Sequence, residues 1–74
     1  MKKKEIKEYA KKLALLELKR ANAQDEEERT QYEKDIMTIS MRISQGTTEE
    51  EYLDVIVEID ELTQKILEKI SEKN

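Results

Sequence analysis

The sequence predicts an all-α protein, a short bundle of three helices that forms one helical domain over residues 1–74. Three observations support this fold class. Ala, Leu, Glu, Lys and Arg dominate a chain with one glycine and no proline. Apolar residues recur every three or four positions. The segment from Ser44 to Thr48 combines a helix-ending glycine with threonines that suit the start of the next helix.

The first two predicted helices cover about residues 3–22 and 25–44. The apolar stripe of the first comprises Ile6, Tyr9, Ala10, Leu13 and Leu16, widened by Ala14 and Leu15. The stripe of the second comprises Tyr32, Ile36, Ile39 and Ile43. Met37 and Met41 lie beside that second stripe. We expect them to fill the core rather than to form an adaptable binding groove, which is the alternative use of methionine.

The third predicted helix covers about residues 48–72 and has the spacing of a coiled-coil seam. Its stripe comprises Tyr52, Val55, Ile59, Leu62 and Ile66, widened by Ile56, Leu67 and Ile70. Either Thr47 with Glu50 or Thr48 with Glu51 matches the capping-box pattern at its start. Gly46 stands where the preceding helix favours a left-handed residue.

The boundary between the first two helices is less strongly marked. Eight polar residues separate Ala23 from Tyr32, and Asp25 with Glu28 suits a new helix N-terminus. No glycine or proline interrupts residues 3–44, so a long-arm helical hairpin with one continuous first helix is the alternative. A two-stranded hairpin across residues 45–48 is less favoured, because an isolated two-stranded sheet is marginally stable in water.

The missing residue types exclude several classes of function. The chain has no cysteine and no histidine, which removes thiolate sites, imidazole bases and the usual nitrogen ligands of zinc. A single glycine does not make a phosphate-binding loop. The sequence therefore predicts a non-catalytic protein with no cofactor, no metal and no small-molecule substrate. The sequence also has no long uncharged apolar run that could span a membrane, so it predicts a cytoplasmic location.

The aliphatic surface predicts self-association. If residues 6–20 lie beside residues 52–66, Leu67 and Ile70 stay poorly covered. A single core in a chain this short rarely supplies more than about 3–5 kcal/mol, so further burial between chains is expected. We therefore predict a homo-oligomer, with a dimer favoured. Its predicted interface is the third helix's stripe of Val55, Ile59, Leu62, Ile66 and Ile70.

Charge is distributed unevenly along the chain. Residues 1–24 carry a net charge of +5 and residues 25–74 one of −9. The acidic cluster of Asp25, Glu26, Glu27 and Glu28 predicts contact with a basic protein surface. The sequence thus predicts a small regulator, inhibitor or assembly adaptor that self-associates and binds another macromolecule, with a protein partner favoured. The alternative is a nucleic-acid-associated protein whose Lys4, Lys7 and Lys11 contact phosphates from one helix face.

Overall fold

The structure is a computed structural model that describes residues 1–73 as three α-helices joined by short turns. Helix α1 spans Lys3–Ala21, α2 spans Glu26–Gln45 and α3 spans Glu49–Lys73. Each end lies within one residue of the predicted boundary, which confirms the short helical bundle. The continuous first helix and the two-stranded hairpin are wrong, because α1 ends at Ala21 and residues 26–45 are helical.

Hydrogen bonds at Asn22 and Asp25 explain the break between α1 and α2. The Asn22 backbone N–H donates to the Leu18 carbonyl at 3.0 Å, which closes the last turn of α1. Asp25 has an extended backbone, and its Oδ1 accepts from the Glu28 N–H at 2.8 Å. This side chain satisfies a backbone donor that the first turn of a helix leaves unpaired. The predicted N-cap is therefore confirmed.

A capping box starts α3. The Thr48 N–H donates to Glu51 Oε1 at 3.0 Å, and the Glu51 N–H donates to Thr48 Oγ1 at 3.3 Å. The alternative pair begins at Thr47, which acts on the preceding helix instead. Its hydroxyl donates to the Ile43 carbonyl at 3.0 Å. The two threonines thus serve different helices, Thr47 the end of α2 and Thr48 the start of α3.

Gly46 does not adopt the predicted left-handed conformation. Its φ is −91°, and its N–H is shared between the carbonyls of Arg42 at 3.0 Å and Ile43 at 3.2 Å. A left-handed cap is one way to satisfy the last carbonyls of a helix. Here the Gly46 N–H and the Thr47 hydroxyl satisfy them with a right-handed backbone, so that prediction is wrong.

Helix α1 is the centre of the bundle. It packs along both α2 and α3, whereas α2 and α3 hardly touch each other. α1 is parallel to α3, since Met1 lies beside Glu51 and Ala10 beside Thr63. It is antiparallel to α2, since Met1 also lies beside Gly46 at the C-terminal end of α2. The resulting molecule measures 39 × 28 × 16 Å between its outermost Cα atoms.

A small residue allows α1 and α3 to cross closely. Ala10 is completely buried, and the Thr63 hydroxyl lies 3.5 Å from the Ala10 carbonyl oxygen. That hydroxyl donates at 2.7 Å to the Ile59 carbonyl, so the buried polar group is satisfied within its own helix. A larger side chain at position 10 would hold the two backbones apart.

The observed register changes which parts of α3 are covered. The predicted pairing placed Met1 near residue 47 and Ala10 near residue 56. Instead Met1 lies beside Glu51, about one turn further along α3, and Ala10 lies beside Thr63, about two turns further. In this register Ile66 packs against the core, and Leu67 and Ile70 are half-buried. The expectation that Leu67 and Ile70 stay poorly covered is therefore wrong.

The core lies where the three helices meet. Its buried members are Ile6, Ala10, Ile43, Val55 and Ile59. Partly buried residues pack around them, namely Met1, Tyr9, Leu13, Ile39, Tyr52, Ile56, Leu62 and Ile66. Every helix contributes, but α2 supplies only one fully buried side chain, that of Ile43.

Candidate functional site

An apolar groove lies between α2 and α3, because both helices pack against α1 and hardly touch each other. It has a volume of about 190 Å³ and is open to solvent. The lining residues are Leu13 and Glu17 from α1, Ile36, Ser40 and Ile43 from α2, and Ile56, Ile59, Asp60 and Thr63 from α3. Five of the nine are aliphatic; Ile43 and Ile59 are buried, whereas Leu13, Ile36 and Ile56 are partly exposed to water. We call this feature the α2–α3 groove.

Three exposed apolar residues are helix-surface neighbours of the groove lining. These are Met37 on α2, 64% exposed, and Leu53 and Val57 on α3, 71% and 55% exposed; Met41 is 57% exposed but has no lining residue three or four positions away. Residues three or four apart are neighbours on a helix surface. Met37 therefore neighbours Ser40 of the α2 wall, and Leu53 neighbours Ile56 of the α3 wall. We call Met37, Leu53 and Val57 the apolar shoulders.

The exposure of Met37 and Met41 corrects their predicted role as core filler. Ile36, Ile39 and Ile43 already occupy the side of α2 that faces α1 and α3. A helix presents only a limited stripe to its neighbours. Since α2 has just one close neighbour, the two methionines stay on the surface. Their alternative role, that of an adaptable binding surface, stays a prediction.

The groove carries negative charge. Glu17 is half-buried on α1, Asp60 is exposed on α3, and they are the only charged residues that line the groove. Within the side chains that the structure describes, neither carboxylate forms an ion pair. Both are therefore available to a cationic group of a bound molecule.

The predicted self-association stripe is used largely within the chain. Val55 and Ile59 are buried in the core, and Leu62 and Ile66 pack against it. Ile70 is half-buried near the end of α3. The most exposed aliphatic residues of α3 are instead Leu53 and Val57, which stand about 120–160° around the helix from Val55 and Ile59.

The predicted acidic cluster occupies the start of α2. Asp25 caps the helix, and the Glu28 carboxylate accepts a hydrogen bond from the Tyr32 hydroxyl at 3.1 Å. This hydrogen bond is the main cause that raises the pKa of Tyr32 above 10.0. Glu26 and Glu27 are exposed in the first turn, where the helix dipole favours negative charge. Asp25 and Glu28 thus have local structural partners.

The predicted phosphate-contacting lysines lie on the outer side of α1. Lys4, Lys7 and Lys11 are all exposed. At 3.6 residues per turn, Lys4 stands about 180° and Lys11 about 160° around the helix from Leu13, which lines the groove. The basic face and the acidic groove therefore lie on opposite sides of α1.

A second depression, of about 380 Å³, lies between α1 and α2. Its lining residues are Lys12, Leu15, Leu16, Asp35, Thr38, Ile39 and Arg42. Lys12 and Arg42 bring positive charge, and Asp35 brings negative charge. Because this depression carries charges of both signs, it indicates no charge preference for a partner, whereas the charged residues of the α2–α3 groove are all acidic.

The described residues contain neither a candidate metal site nor a candidate membrane span. Residues 1–73 contain no group of three or more carboxylates that could hold a metal ion. In the same part of the chain, no helix has the length and apolar character needed to cross a membrane.

The sequence analysis did not predict that Leu53 and Val57 are exposed beside the groove. A signal was present, since Leu53 and Val57 are four residues apart and form a second apolar row next to the seam. Only the separation of α2 from α3 places that row beside a groove. Comparison of the chain with protein-family models, curated proteins and solved structures found no match.

Proposed function

We propose that this chain is a non-catalytic helical interaction module that binds another macromolecule through the α2–α3 groove. One observation carries the proposal, the aliphatic groove whose walls continue into the exposed apolar shoulders. Exposed apolar surface of this kind costs free energy in water and is typical of protein contact sites. With such a surface, the chain would act as a regulator, inhibitor or assembly adaptor of a cytoplasmic protein.

The shape of the groove supports a helical ligand. Two separated helices with a third as the floor can accept the apolar face of an added helix, which packs as in a helix-in-groove complex. Methionine and aliphatic shoulders suit this role because they adapt to ligand side chains. The binding energy would come from burying the exposed parts of Leu13, Ile36 and Ile56 together with the shoulders.

Selection of peptides on the whole chain tests the proposed function. A displayed library of random peptides is panned against the wild-type protein and counter-selected against the Met37→Asp/Leu53→Asp variant. Both substitutions are at exposed positions, so circular dichroism should show an unchanged fold. We expect enriched peptides with apolar residues at helical spacing that lose binding to the variant. Peptides that bind both proteins equally, or no enrichment, would contradict the proposal.

Self-association stays a prediction. With Val55 and Ile59 covered by α1, a contact between copies would fall on the apolar shoulders. Light scattering over a range of concentrations tests this, with Leu53→Asp/Val57→Asp as the matched variant. A dimer that the variant reduces to a monomer would support self-association through this surface, whereas a monomeric wild-type protein would contradict it.

Nucleic-acid binding is the second candidate function. It is favoured by the shared exposure of Lys4, Lys7 and Lys11 on the outer face of α1. Such binding weakens steeply as salt rises, because phosphate contacts release counterions. Fluorescence anisotropy with labelled DNA and RNA should then show salt-sensitive binding that Lys4→Gln/Lys7→Gln/Lys11→Gln removes. Absence of binding at low salt would eliminate this candidate.

A further inference from the structure

The charge of the α2–α3 groove indicates the chemistry of its partner. Glu17 and Asp60 flank an aliphatic surface, and no basic residue is among the lining residues. A partner with carboxylates at these points would bring like charges together in a partly dehydrated site, whereas cations would be attracted. The groove therefore discriminates between helices of the same shape and opposite charge.

We infer that the α2–α3 groove binds a basic amphipathic helix of a partner protein. This inference rests on the proposed function, since it names the partner of the same site. Aliphatic side chains of the partner helix enter between Ile36 and Ile56. Lysines or arginines beside that apolar stripe reach Glu17 on α1 and Asp60 on α3, and their methylene stems cover the shoulders.

Charge also argues against a second copy as the occupant. Two grooves that face each other would bring Glu17 and Asp60 of both copies into one interface, where like charges repel. The basic face of α1 points away from the groove, so its use would require a head-to-tail contact. Repeated head-to-tail contacts produce open chains unless they close into a ring. A separate basic helix meets neither difficulty.

Three designed peptides test the inference with the complete chain. Each has about 18 residues, a length that supports a helix on binding, with leucines at i, i+3, i+4 and i+7. The remaining positions are lysine in one peptide, glutamine in the second and glutamate in the third. Fluorescence anisotropy at low and moderate salt measures the affinity of each. We expect the lysine peptide to bind most tightly and the glutamate peptide not to bind.

Charge-matched variants distinguish groove binding from general attraction to an acidic protein. The groove variant is Glu17→Lys/Asp60→Lys. The control is Glu8→Lys/Glu58→Lys, which makes the same change in net charge at exposed positions about 140° around α1 from Leu13 and about 160° around α3 from Ile56. We expect the groove variant to bind the lysine peptide at least about tenfold more weakly, and the control to lose less than about threefold. Circular dichroism confirms that both variants fold.

The outcomes separate the inference from the proposed function. Equal losses in both variants, or equal binding of all three peptides, would overturn the basic-helix inference. If the three peptides bind equally and Met37→Asp/Leu53→Asp abolishes that binding, the groove is an interaction site and only the charge preference is wrong. If no designed peptide binds, the inference fails, and the library selection decides the proposed function. A chain that assembles alone through Leu53 and Val57 would make a second copy the occupant.

Discussion

At the scale of single residues, Tyr32 is linked to the start of its own helix. Its hydroxyl donates to the Glu28 carboxylate one turn earlier, and this bond, together with the nearby negative charge of Glu28 and Asp35, raises the pKa of Tyr32 above 10.0. The protonated phenol is the form that the folded state favours. Its contribution to stability is therefore complete below pH 10 and is lost as the pH rises through the higher pKa of the folded state.

Substitution of Glu28 tests this linkage. In a Tyr9→Phe/Tyr52→Phe background, Tyr32 is the only phenol, and its ionisation is followed by ultraviolet absorbance. We expect Glu28→Gln to lower the pKa of Tyr32, because it removes the acceptor's negative charge. Glu33→Gln is the control, since Glu33 is not among the causes of the shift. An unchanged pKa in Glu28→Gln would show that this hydrogen bond is absent in solution.

Gly46 gives a second prediction for a single residue. A Cβ atom at this position would lie 3.4 Å from the Arg42 carbonyl oxygen and 3.4 Å from the terminal methyl group of Met1, both ordinary contacts. With φ at −91°, alanine needs no strained backbone. We expect Gly46→Ala to raise the free energy of unfolding by about 0.4–1 kcal/mol, because alanine reduces the entropy of the unfolded chain. Chemical denaturation measures the change, and a loss of stability would indicate the left-handed conformation.

At the scale of helices, the Asp25 cap keeps α1 and α2 separate. Removing its side-chain acceptor in Asp25→Ala should lower the free energy of unfolding by about 1 kcal/mol. Asp25→Asn retains an acceptor and should preserve most of the stability. Gln24→Ala, at the neighbouring exposed position, should change stability by less than about 0.5 kcal/mol. Urea denaturation of the three variants checks the prediction, and equal losses in Asp25→Ala and Gln24→Ala would contradict it.

The crossing of α1 and α3 depends on the small side chain of Ala10. We expect Ala10→Leu to lower the free energy of unfolding by about 1–3 kcal/mol, because the added atoms force the close-packed backbones apart. Ala21→Leu, at the exposed end of the same helix, adds the same atoms without that crowding and serves as the control. Thermal and urea denaturation compare the two. Equal stability of both variants would mean that α1 and α3 are not in close contact at Ala10.

At the scale of the whole molecule, one side of α3 is buried against the core and the other side faces solvent. Ile59→Asp places an unpaired charge in the core and should cost more than about 4 kcal/mol, close to the entire stability of a chain this small. Leu53→Asp changes a side chain that is 71% exposed and should leave the helical circular dichroism signal unchanged. The reverse order of stabilities would mean that α3 presents its other side to α1.

The three helices were predictable because their signals are local. Asp25 with Glu28, and Thr48 with Glu51, are close enough in sequence for their hydrogen bonds to be recognised from spacing alone. Gly46 was misread because several backbone geometries can end a helix, and the hydroxyl of Thr47 decided between them. Met37 and Met41 were misread because their burial depends on the number of neighbours that α2 has in space.

The candidate site was likewise only partly predictable from the sequence. The chemistry of the groove residues is evident in the sequence, including Glu17, Asp60 and the aliphatic rows of α2 and α3. Their arrangement into one surface was not evident. It depends on the register of α1 along α3, which differs from the predicted pairing, and on the separation of α2 from α3. No local sequence pattern encodes either feature.

The sequence by itself determined the number, length and ends of the helices, since helix propensity, apolar spacing and capping hydrogen bonds act over a few residues. It also determined the uneven distribution of charge. Only the tertiary structure decided which apolar residues face solvent. Side-chain burial depends on contacts between distant parts of the chain, and here the buried Ala10 brings α1 close to α3. With α1 at the centre, α2 and α3 stand apart, and the Ile36 and Ile56 walls remain open to a partner.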